Sequence, residues 1–274
     1  MAPVTAGGPV RQYREHKFRS GRITINFAEF TGQGDPVLLI HGITSRWQRF
    51  EQLIELLPAD RRIYAIDLRG HGGSSRADTY DLRGYASDTV EFINGVIKGP
   101  ARIVGHSLGA MTALVVAGSD PGTARSLLLE DPPLYAYRHP DRADRFKAVY
   151  DLVASKPSPE ALIRRVTEMN EGASRDRIEG IVASLSRLDP AVLRFSVDRT
   201  SIWGDWIEEK MRAIRCRSVL LHADPAVGGA ATRDEAKHAA GLIRGCRLVH
   251  WPQSPHSMLP FKPDAFLDLV EEAA

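Results

Sequence analysis

Short apolar runs alternate along this chain with longer amphipathic segments. The short runs lie at 37–40, 62–67, 101–104, 125–130, 217–223 and 246–251, and residues 22–30 alternate between apolar and polar positions. The short runs predict buried strands, and the alternating segment predicts a half-buried antiparallel strand. Apolar residues at helical spacing lie between them, at 47–57, 85–96, 110–117, 232–242 and 263–272. Strands that alternate with helices predict an α/β fold with a doubly wound, mostly parallel sheet.

The pattern changes between residues 134 and 213. Charged segments with helical spacing follow one another there without a convincing strand, at 139–155, 158–171, 174–188 and 202–211. We therefore expect a helical cap, residues 134–213, inserted into a core formed by residues 1–133 and 214–274. Residues 1–20 are predicted to be a poorly anchored lead-in to the first strand.

Composition and charge narrow the functional classes. The 274 residues are 43% hydrophobic and 26% charged, as in ordinary soluble globular proteins. The net charge is +2 with acidic and basic residues intermixed, so we expect a small-molecule substrate and neither nucleic acid nor a membrane as partner. Without a signal peptide or a bilayer-spanning run, the expected protein is a cytoplasmic monomer or homodimer. Cys216 and Cys246 show no metal-site spacing and are predicted to be buried thiols.

One motif lies at the junction of a predicted strand and a predicted helix: Gly-His-Ser-Leu-Gly at residues 105–109. In that position Gly-x-Ser-x-Gly is typical of a nucleophile elbow, in which a serine projects from a sharp, strained turn. Gly105 and Gly109 suit a close crossing of helix and strand. The Ser107 hydroxyl would lie at a helix N-terminus, which favours developing negative charge. The motif alone is a hypothesis, and its context decides.

A nucleophilic serine needs a base, an orienting acid and donors for an oxyanion, which in open α/β sheets collect beyond the carboxyl ends of the strands. Predicted strands end just before Ile43, Ser107, Asp131 and the loop that holds His256. Because His256 lies between the last predicted strand and the final helix, it is the preferred base. The histidines weighed against it lie in turns, beside the serine or within a strand: His41, His71, His106 and His250.

Four features carry a resemblance to a known family: His41-Gly42, the segment 67–74, the motif at 105–109 and the late His256. With them the chain resembles enzymes of the α/β-hydrolase fold over nearly its whole length. The resemblance implies Ser107 as nucleophile, His256 as base, a cap after the sixth strand and no need for a metal or organic cofactor. It also implies an oxyanion hole from the backbone N–H groups of Leu108 and Ile43. The segment 129–134 is similar to the N-formylmaleamate deformylase-like branch.

The acid is open between two positions. Most members of the family carry it after the strand that follows the cap, where Asp224 lies, although the usual pattern places it deeper in that loop, at Ala226. Some branches place it after the strand that follows the elbow helix, at Asp131. We favour Asp131 over Asp224, and an Asx turn is the alternative role for either. Glu130 is a lesser candidate, because alternation would point it to the opposite face of its strand.

These features predict a serine hydrolase that cleaves a carboxylic ester of a small, partly hydrophobic or aromatic substrate through an acyl-enzyme. The predicted cap carries Tyr135, Tyr137, Phe146, Tyr150, Phe195, Trp203, Trp206 and Met211, for most of which packing between helices is the alternative role. Arg46 is a candidate for a substrate carboxylate or a solvated surface residue. Amide or C–N hydrolysis of the deformylase type is the second interpretation. A non-hydrolytic binder, a lyase and a cofactor-free oxygenase stay open.

Overall fold

One sheet organises residues 11–273, the part of the chain that the computed structural model describes. Eight strands follow one another in the order β1-β2-β4-β3-β5-β6-β7-β8. Their bounds are β1 Arg14–Ser20, β2 Ile23–Phe30, β3 Gln33–Ile40, β4 Arg61–Ile66, β5 Ala101–His106, β6 Ala124–Glu130, β7 Arg217–His222 and β8 Arg247–His250. β2 runs antiparallel to β1 and β4, and all other neighbours are parallel. The predicted mostly parallel sheet is confirmed.

Helices cover both faces of the sheet. Within the described residues the α-helices are α1 Glu51–Leu56, α2 Leu82–Phe92, α3 Leu108–Ser119, α4 Lys147–Ala154, α5 Pro159–Met169, α6 Arg175–Leu185, α7 Phe195–Asp198, α8 Ile207–Ala213, α9 Arg233–Leu242 and α10 Pro263–Glu272. Residues of α1 and α10 pack into one hydrophobic cluster, and residues of α2, α3 and α9 pack into another. The sheet is therefore doubly wound, as predicted.

Strand β3 shows why the central strands are continuous apolar runs. Successive side chains of a strand point to opposite faces. Leu38 and Ile40 belong to the cluster that contains α2 and α3, whereas Val37 and Leu39 belong to the cluster that contains α1 and α10. All four are at most 1% exposed. A strand with helices on both sides leaves no polar face, and this accounts for the unbroken apolar pattern.

Residues 14–20 form β1, so the prediction of a poorly anchored lead-in was wrong for them. The strand is mostly charged and exposed, with the sequence Arg-Glu-His-Lys-Phe-Arg-Ser. It is held by backbone pairing with β2, and the ring of Phe18 packs against Phe92 at 5.9 Å. An edge strand with charged side chains carries no apolar alternation, which is why the sequence pattern did not indicate it. Residues 1–10 of the predicted lead-in lie outside the described residues.

The segment between β6 and β7 is helical throughout its regular elements. It contains α4 to α8 and the 3₁₀ segments Ala136–Arg138, Pro140–Phe146 and Pro190–Leu193. The helix predicted at 202–211 is shorter and lies later, as α8, which packs against α3. α8 meets α3 near its C-terminal end, where a Cβ on Gly118 would overlap the backbone of Lys210. Pro133, Ala136 and residues 199–203 instead line a cavity together with Ser107 and Leu108, at the start of α3.

Two further sequence predictions concern the thiols and membranes. Cys216 and Cys246 are free thiols that are only partly buried, which is less than predicted, since each lies just outside the start of a strand. Burial still raises the pKa of Cys246 to about 11. Between residues 11 and 273 no helix has both the length and the apolar character needed to cross a bilayer.

Candidate active site

Ser107 lies at the sharp turn between β5 and α3. Its backbone has φ 53° and ψ −115°, a region that residues with a side chain rarely adopt. The turn requires glycine on either side, because a Cβ on Gly105 would overlap the backbone of Gly109 and a Cβ on Gly109 would overlap the carbonyl oxygen of Ile40. Strand, helix and the neighbouring strand β3 thus approach too closely for any side chain. This geometry is the one that the Gly-x-Ser-x-Gly motif predicts.

Two backbone N–H groups beside Ser107 are available to an anion. Leu108 is the first residue of α3, where N–H groups have no acceptor within the helix. Ile43 follows β3, and its N–H donates to none of the described residues. Ser107, Leu108 and Ile43 all line one cavity. The two donors that the resemblance implied therefore border the same space as the serine.

Asp131 and His256 are in direct contact. Nδ1 of His256 lies 2.6 Å from Oδ2 of Asp131, whose side chain is fully buried. The carboxylate also accepts the backbone N–H groups of Ala223 at 3.2 Å and Ala230 at 2.8 Å. With Nδ1 as donor to Asp131, Nε2 is the imidazole nitrogen that remains free to accept a proton. Of the candidate acids, Asp131 is thus the one that the structure brings to His256.

Asp224 lies elsewhere. Its carboxylate accepts the backbone N–H of Ala226 at 3.0 Å and that of Gln253 at 2.9 Å. These two N–H groups hold the pKa of Asp224 below its usual range, and the Gln253 bond has the larger effect. The Asx-turn role that the sequence left open for this residue is the one observed.

Glu130 is fully buried on the other side of the strand end, as alternation predicted. Its two carboxylate oxygens lie 2.6 and 2.7 Å from Nη2 of Arg49, whose side chain is only 9% exposed. One of them also accepts the N–H groups of Met258 at 2.7 Å and Leu259 at 3.1 Å. The residue is therefore an internal ion-pair partner that also contacts the chain just beyond His256.

The Ser107 hydroxyl and Nε2 of His256 form no hydrogen bond with each other or with another described residue. His106 occupies the space beside His256, with ring centroids 4.7 Å apart and its Nε2 donating to the His256 carbonyl at 3.3 Å. Desolvation holds the pKa of His106 well below its usual range. Hydrogen bonds between catalytic groups are often long without substrate and shorten in the Michaelis complex, so this geometry is compatible with a serine–histidine pair.

The other histidines considered as a base have structural partners. Nε2 of His41 accepts the N–H of Leu68 at 3.0 Å, and Nδ1 of His71 donates to the Arg69 carbonyl at 2.9 Å. His250 pairs with His222 at 3.0 Å between their Nδ1 atoms. Within residues 11–273, no group of three or more His, Cys, Asp or Glu residues is arranged to hold a metal ion.

Acid is expected to unfold the protein through His41 and His71. Burial, chiefly by desolvation, lowers the pKa of His41 to about 4 and that of His71 to about 3. Because both values lie below the ordinary value near 6.5, the unfolded chain takes up protons that the folded chain does not, and stability falls as the pH falls below about 6.5. Each residue should cost about 2 to 3 kcal/mol between pH 7 and pH 4.5.

Urea unfolding at several pH values measures this loss. His71→Gln removes one of the two groups, so the difference in unfolding free energy between pH 7 and pH 4.5 should shrink by about 2 kcal/mol. Thr89→Val, at a fully buried position in α2, is the control, because it removes no titratable group and should leave the pH dependence unchanged. Equal slopes for His71→Gln and the unaltered protein would contradict the assignment.

The cavity beside Ser107 has an empty volume of about 720 Å³ that opens to solvent. Of the aromatic residues predicted in the cap, Tyr137, Phe146, Phe195 and Trp203 line it. The remaining predicted residues, Tyr135, Tyr150, Trp206 and Met211, do not line it. Its apolar lining combined with Ser107 suits a small, partly hydrophobic ligand.

Arginines of the helical segment were missed as cavity residues in the sequence. Arg142, Arg145 and Arg199 line the cavity, whereas Arg46 does not. Arg142 pairs with Glu235 at 3.4 Å, and Arg199 pairs with Asp141 at 3.5 Å and with Asp144 at 3.0 Å. Arg145 has no carboxylate within 4.0 Å among the described residues. In a segment rich in solvated charges, nothing in the sequence distinguishes these arginines from their neighbours.

The chain is similar in sequence to a known protein family and to several named enzymes. The model of the alpha/beta hydrolase family matches residues 37–269. The 2-(acetamidomethylene)succinate hydrolase of Mesorhizobium japonicum is 40% identical over 112 residues, which are 40% of each chain. A pimeloyl-[acyl-carrier protein] methyl ester esterase of Neisseria meningitidis is 40% identical over 93 residues, 34% of this chain and 35% of that one. These matches span well under half the length of either relative.

Solved structures are similar over nearly the whole chain. The crystal structure of E-2-(acetamidomethylene)succinate hydrolase has a TM-score of 0.78 at 21% identity and covers 95% of this chain and 98% of its own. N-formylmaleamic acid deformylase from Pseudomonas putida has a TM-score of 0.75 at 19% identity, with 94% and 100% covered. At these identities the likeness establishes the fold.

Proposed function

The chain belongs to the alpha/beta hydrolase family, and we propose that within it this protein is a serine hydrolase with Ser107 as nucleophile. Its substrate is a carboxylic ester of a small, partly hydrophobic or aromatic compound. The observation that supports this best is the 2.6 Å contact between His256 and the buried Asp131, next to a serine held in an elbow. Residues 134–213 act as the cap that closes the substrate cavity.

The reaction follows from these positions. Nε2 of His256 takes the Ser107 proton as Oγ attacks the ester carbonyl, and Asp131 keeps the imidazole oriented through Nδ1. The N–H groups of Leu108 and Ile43 stabilise the oxyanion, each by about 3 kcal/mol. The alkoxide leaves with the proton from His256, which forms the acyl-enzyme. Water, deprotonated by the same imidazole, then releases the acid and restores Ser107.

Covalent labelling tests the proposal. A fluorophosphonate should add one adduct per chain, on the peptide that contains Ser107, and Ser107→Ala should abolish it. Ser201→Ala is the matched control, because Ser201 lines the same cavity and is not assigned a role in the reaction. A panel of p-nitrophenyl esters of increasing chain length then measures the size of the acyl pocket. Labelling of another residue, or none, would contradict the proposal.

A second candidate is hydrolysis of a C–N bond in a substrate that carries a carboxylate. Arg145 favours the carboxylate of such a substrate, because this cation lines the Ser107 cavity without a carboxylate partner among the described residues. Desolvation lowers the pKa of Arg145, and the negative charge of Asp131 opposes that shift. The guanidinium of Arg145 is therefore coupled by charge to the carboxylate that contacts His256. Two similar proteins are named for acting on a succinate and a maleamic acid derivative. Guanidinium groups bind carboxylates in a bidentate geometry.

Arg145→Met should therefore raise KM selectively. A hydrogen bond to a charged group contributes about 1.5 to 3 kcal/mol, so KM for esters or amides with a free carboxylate should rise about 10- to 100-fold. KM for neutral p-nitrophenyl esters should change less than about twofold. Arg199→Met, which removes a cavity arginine already paired with Asp141 and Asp144, is the control. Equal changes for charged and neutral substrates would refute a carboxylate subsite.

A further inference from the structure

The loop that carries His256 has no regular secondary structure. Residues 251–259, here called the base loop, lie between β8 and α10. Loops are mobile unless their backbone is tied to the rest of the protein. A displacement of about 1 Å in a reacting group costs on the order of 100-fold in rate. A base on such a loop therefore needs anchors beyond its own side chain.

Three carboxylates from other parts of the fold contact this loop. Asp131 binds the imidazole of His256 at 2.6 Å. Asp224 accepts the N–H of Gln253, three residues before the base, at 2.9 Å. Glu130 accepts the N–H groups of Met258 and Leu259 just beyond it, at 2.7 and 3.1 Å. The three acids that sequence analysis weighed against one another all meet the same short segment.

We propose that Glu130 and Asp224 are positioning residues that hold the base loop on either side of His256, so that its imidazole faces Ser107. This inference rests on the proposed function. Hydrogen bonds from backbone N–H groups to carboxylates are about twice as strong as those between neutral groups. Neither residue contacts the imidazole itself, and both act through the backbone of the loop.

The two anchors differ in strength. The Glu130 carboxylate is fully buried and carries two loop N–H groups, with its charge balanced by Arg49. Asp224 is only partly buried and carries one loop N–H, and the backbone N–H of Asp224 also donates to the Ser254 carbonyl at 3.1 Å. That second bond survives removal of the side chain. Loss of Glu130 should therefore move His256 further than loss of Asp224.

Asp224 provides the first test. Asp224→Ala should lower kcat about tenfold with KM within about twofold, because the pocket is untouched while the base is displaced. Asp224→Asn keeps an oxygen acceptor and should recover most of the loss. Asp81→Ala removes a carboxylate that accepts a backbone N–H at the start of α2, far from the base loop in the chain, and should leave kcat unchanged. The amount of fluorophosphonate bound at completion gives the active fraction, so kcat is expressed per active site.

Glu130 needs a paired design, because removing it alone would leave Arg49 as an unpaired buried charge. Glu130→Met with Arg49→Met removes both the ion pair and the loop acceptor. Glu130→Gln with Arg49→Met removes the ion pair and keeps an acceptor for Met258 and Leu259. The first double variant should lose about 100-fold in kcat per active site, and the second about fivefold. The ratio of kcat between the two double variants measures the effect of the acceptor that holds the N–H groups of Met258 and Leu259.

The outcomes separate the two proposals. Absence of a Ser107 adduct in the unaltered protein would refute the serine-hydrolase function. A normal adduct, together with kcat per active site within about twofold in Asp224→Ala and equal kcat in the two double variants, would refute the positioning role alone. If the double variants fail to fold, the three variants at Asp224 and Asp81 decide. An increase in KM that matches the loss in kcat/KM would also count against positioning.

Discussion

Replacing Ser107 with alanine is expected to lower kcat/KM about 10⁶-fold, to what the oxyanion donors and binding alone provide. The hydroxyl is the only part of the elbow that would form a bond to the substrate, and alanine preserves the turn apart from that atom. Ser107 is almost fully buried, but it lines the cavity, and its hydroxyl bonds to none of the described residues. Alanine should therefore remove no hydrogen bond and little packing. The folded state should therefore be retained.

Steady-state hydrolysis of the best p-nitrophenyl ester measures this loss, and the thermal unfolding midpoint confirms that folding is intact. Ser201→Ala serves as control and should keep activity within about twofold, since it changes one cavity hydroxyl outside the elbow. A decrease of less than about tenfold in Ser107→Ala would exclude the serine as nucleophile.

Replacing Asp131 with asparagine is expected to lower kcat about 10⁴-fold, because the amide favours the wrong imidazole tautomer. Both oxygens of Asp131 accept a backbone N–H in the native structure, one from Ala223 and one from Ala230. Asparagine must therefore turn its NH₂ group toward one of these donors. Some loss of stability should accompany the loss of activity.

The comparison with Asp224→Asn makes this prediction decisive. That variant changes the same functional group in the neighbouring loop and should lower kcat by less than about threefold. Measurement of kcat per active site at neutral pH separates chemistry from the folded fraction. A large loss in Asp224→Asn with little loss in Asp131→Asn would reverse the assignment of the acid.

Strong periodic patterns allowed much of the fold to be predicted. The apolar runs of β3 and β5 and the small-residue helix α3 belong to the buried core, which is why their patterns in the sequence are strong. β1 was missed because its exposed side chains carry no pattern, and only its backbone pairs with β2. Backbone hydrogen bonding does not depend on which side chains a strand carries, so a pattern of side-chain types cannot reveal an exposed edge strand.

The candidate site also contains residues that the sequence pattern located and contacts that it could not show. Ser107, Asp131 and His256 were located because each follows an apolar run at a strand end, and the structure brings Asp131 and His256 together. Their catalytic roles stay a prediction. The anchoring by Glu130 and Asp224 could not be foreseen, since it depends on three-dimensional contacts with N–H groups far along the chain. Arg145 was likewise indistinguishable from solvated arginines until the cavity was visible.

The donors that surround the Asp131 carboxylate have a consequence for synthesis of the protein on the ribosome. Asp131 emerges long before Ala223, Ala230 and His256, which supply the three hydrogen bonds that its carboxylate makes among the described residues. Until then a carboxylate at the centre of the nascent sheet has only water to solvate it, and burying it would be costly. The central strands cannot close over this position early. Completion of the core should therefore wait until residues 223–256 have left the exit tunnel.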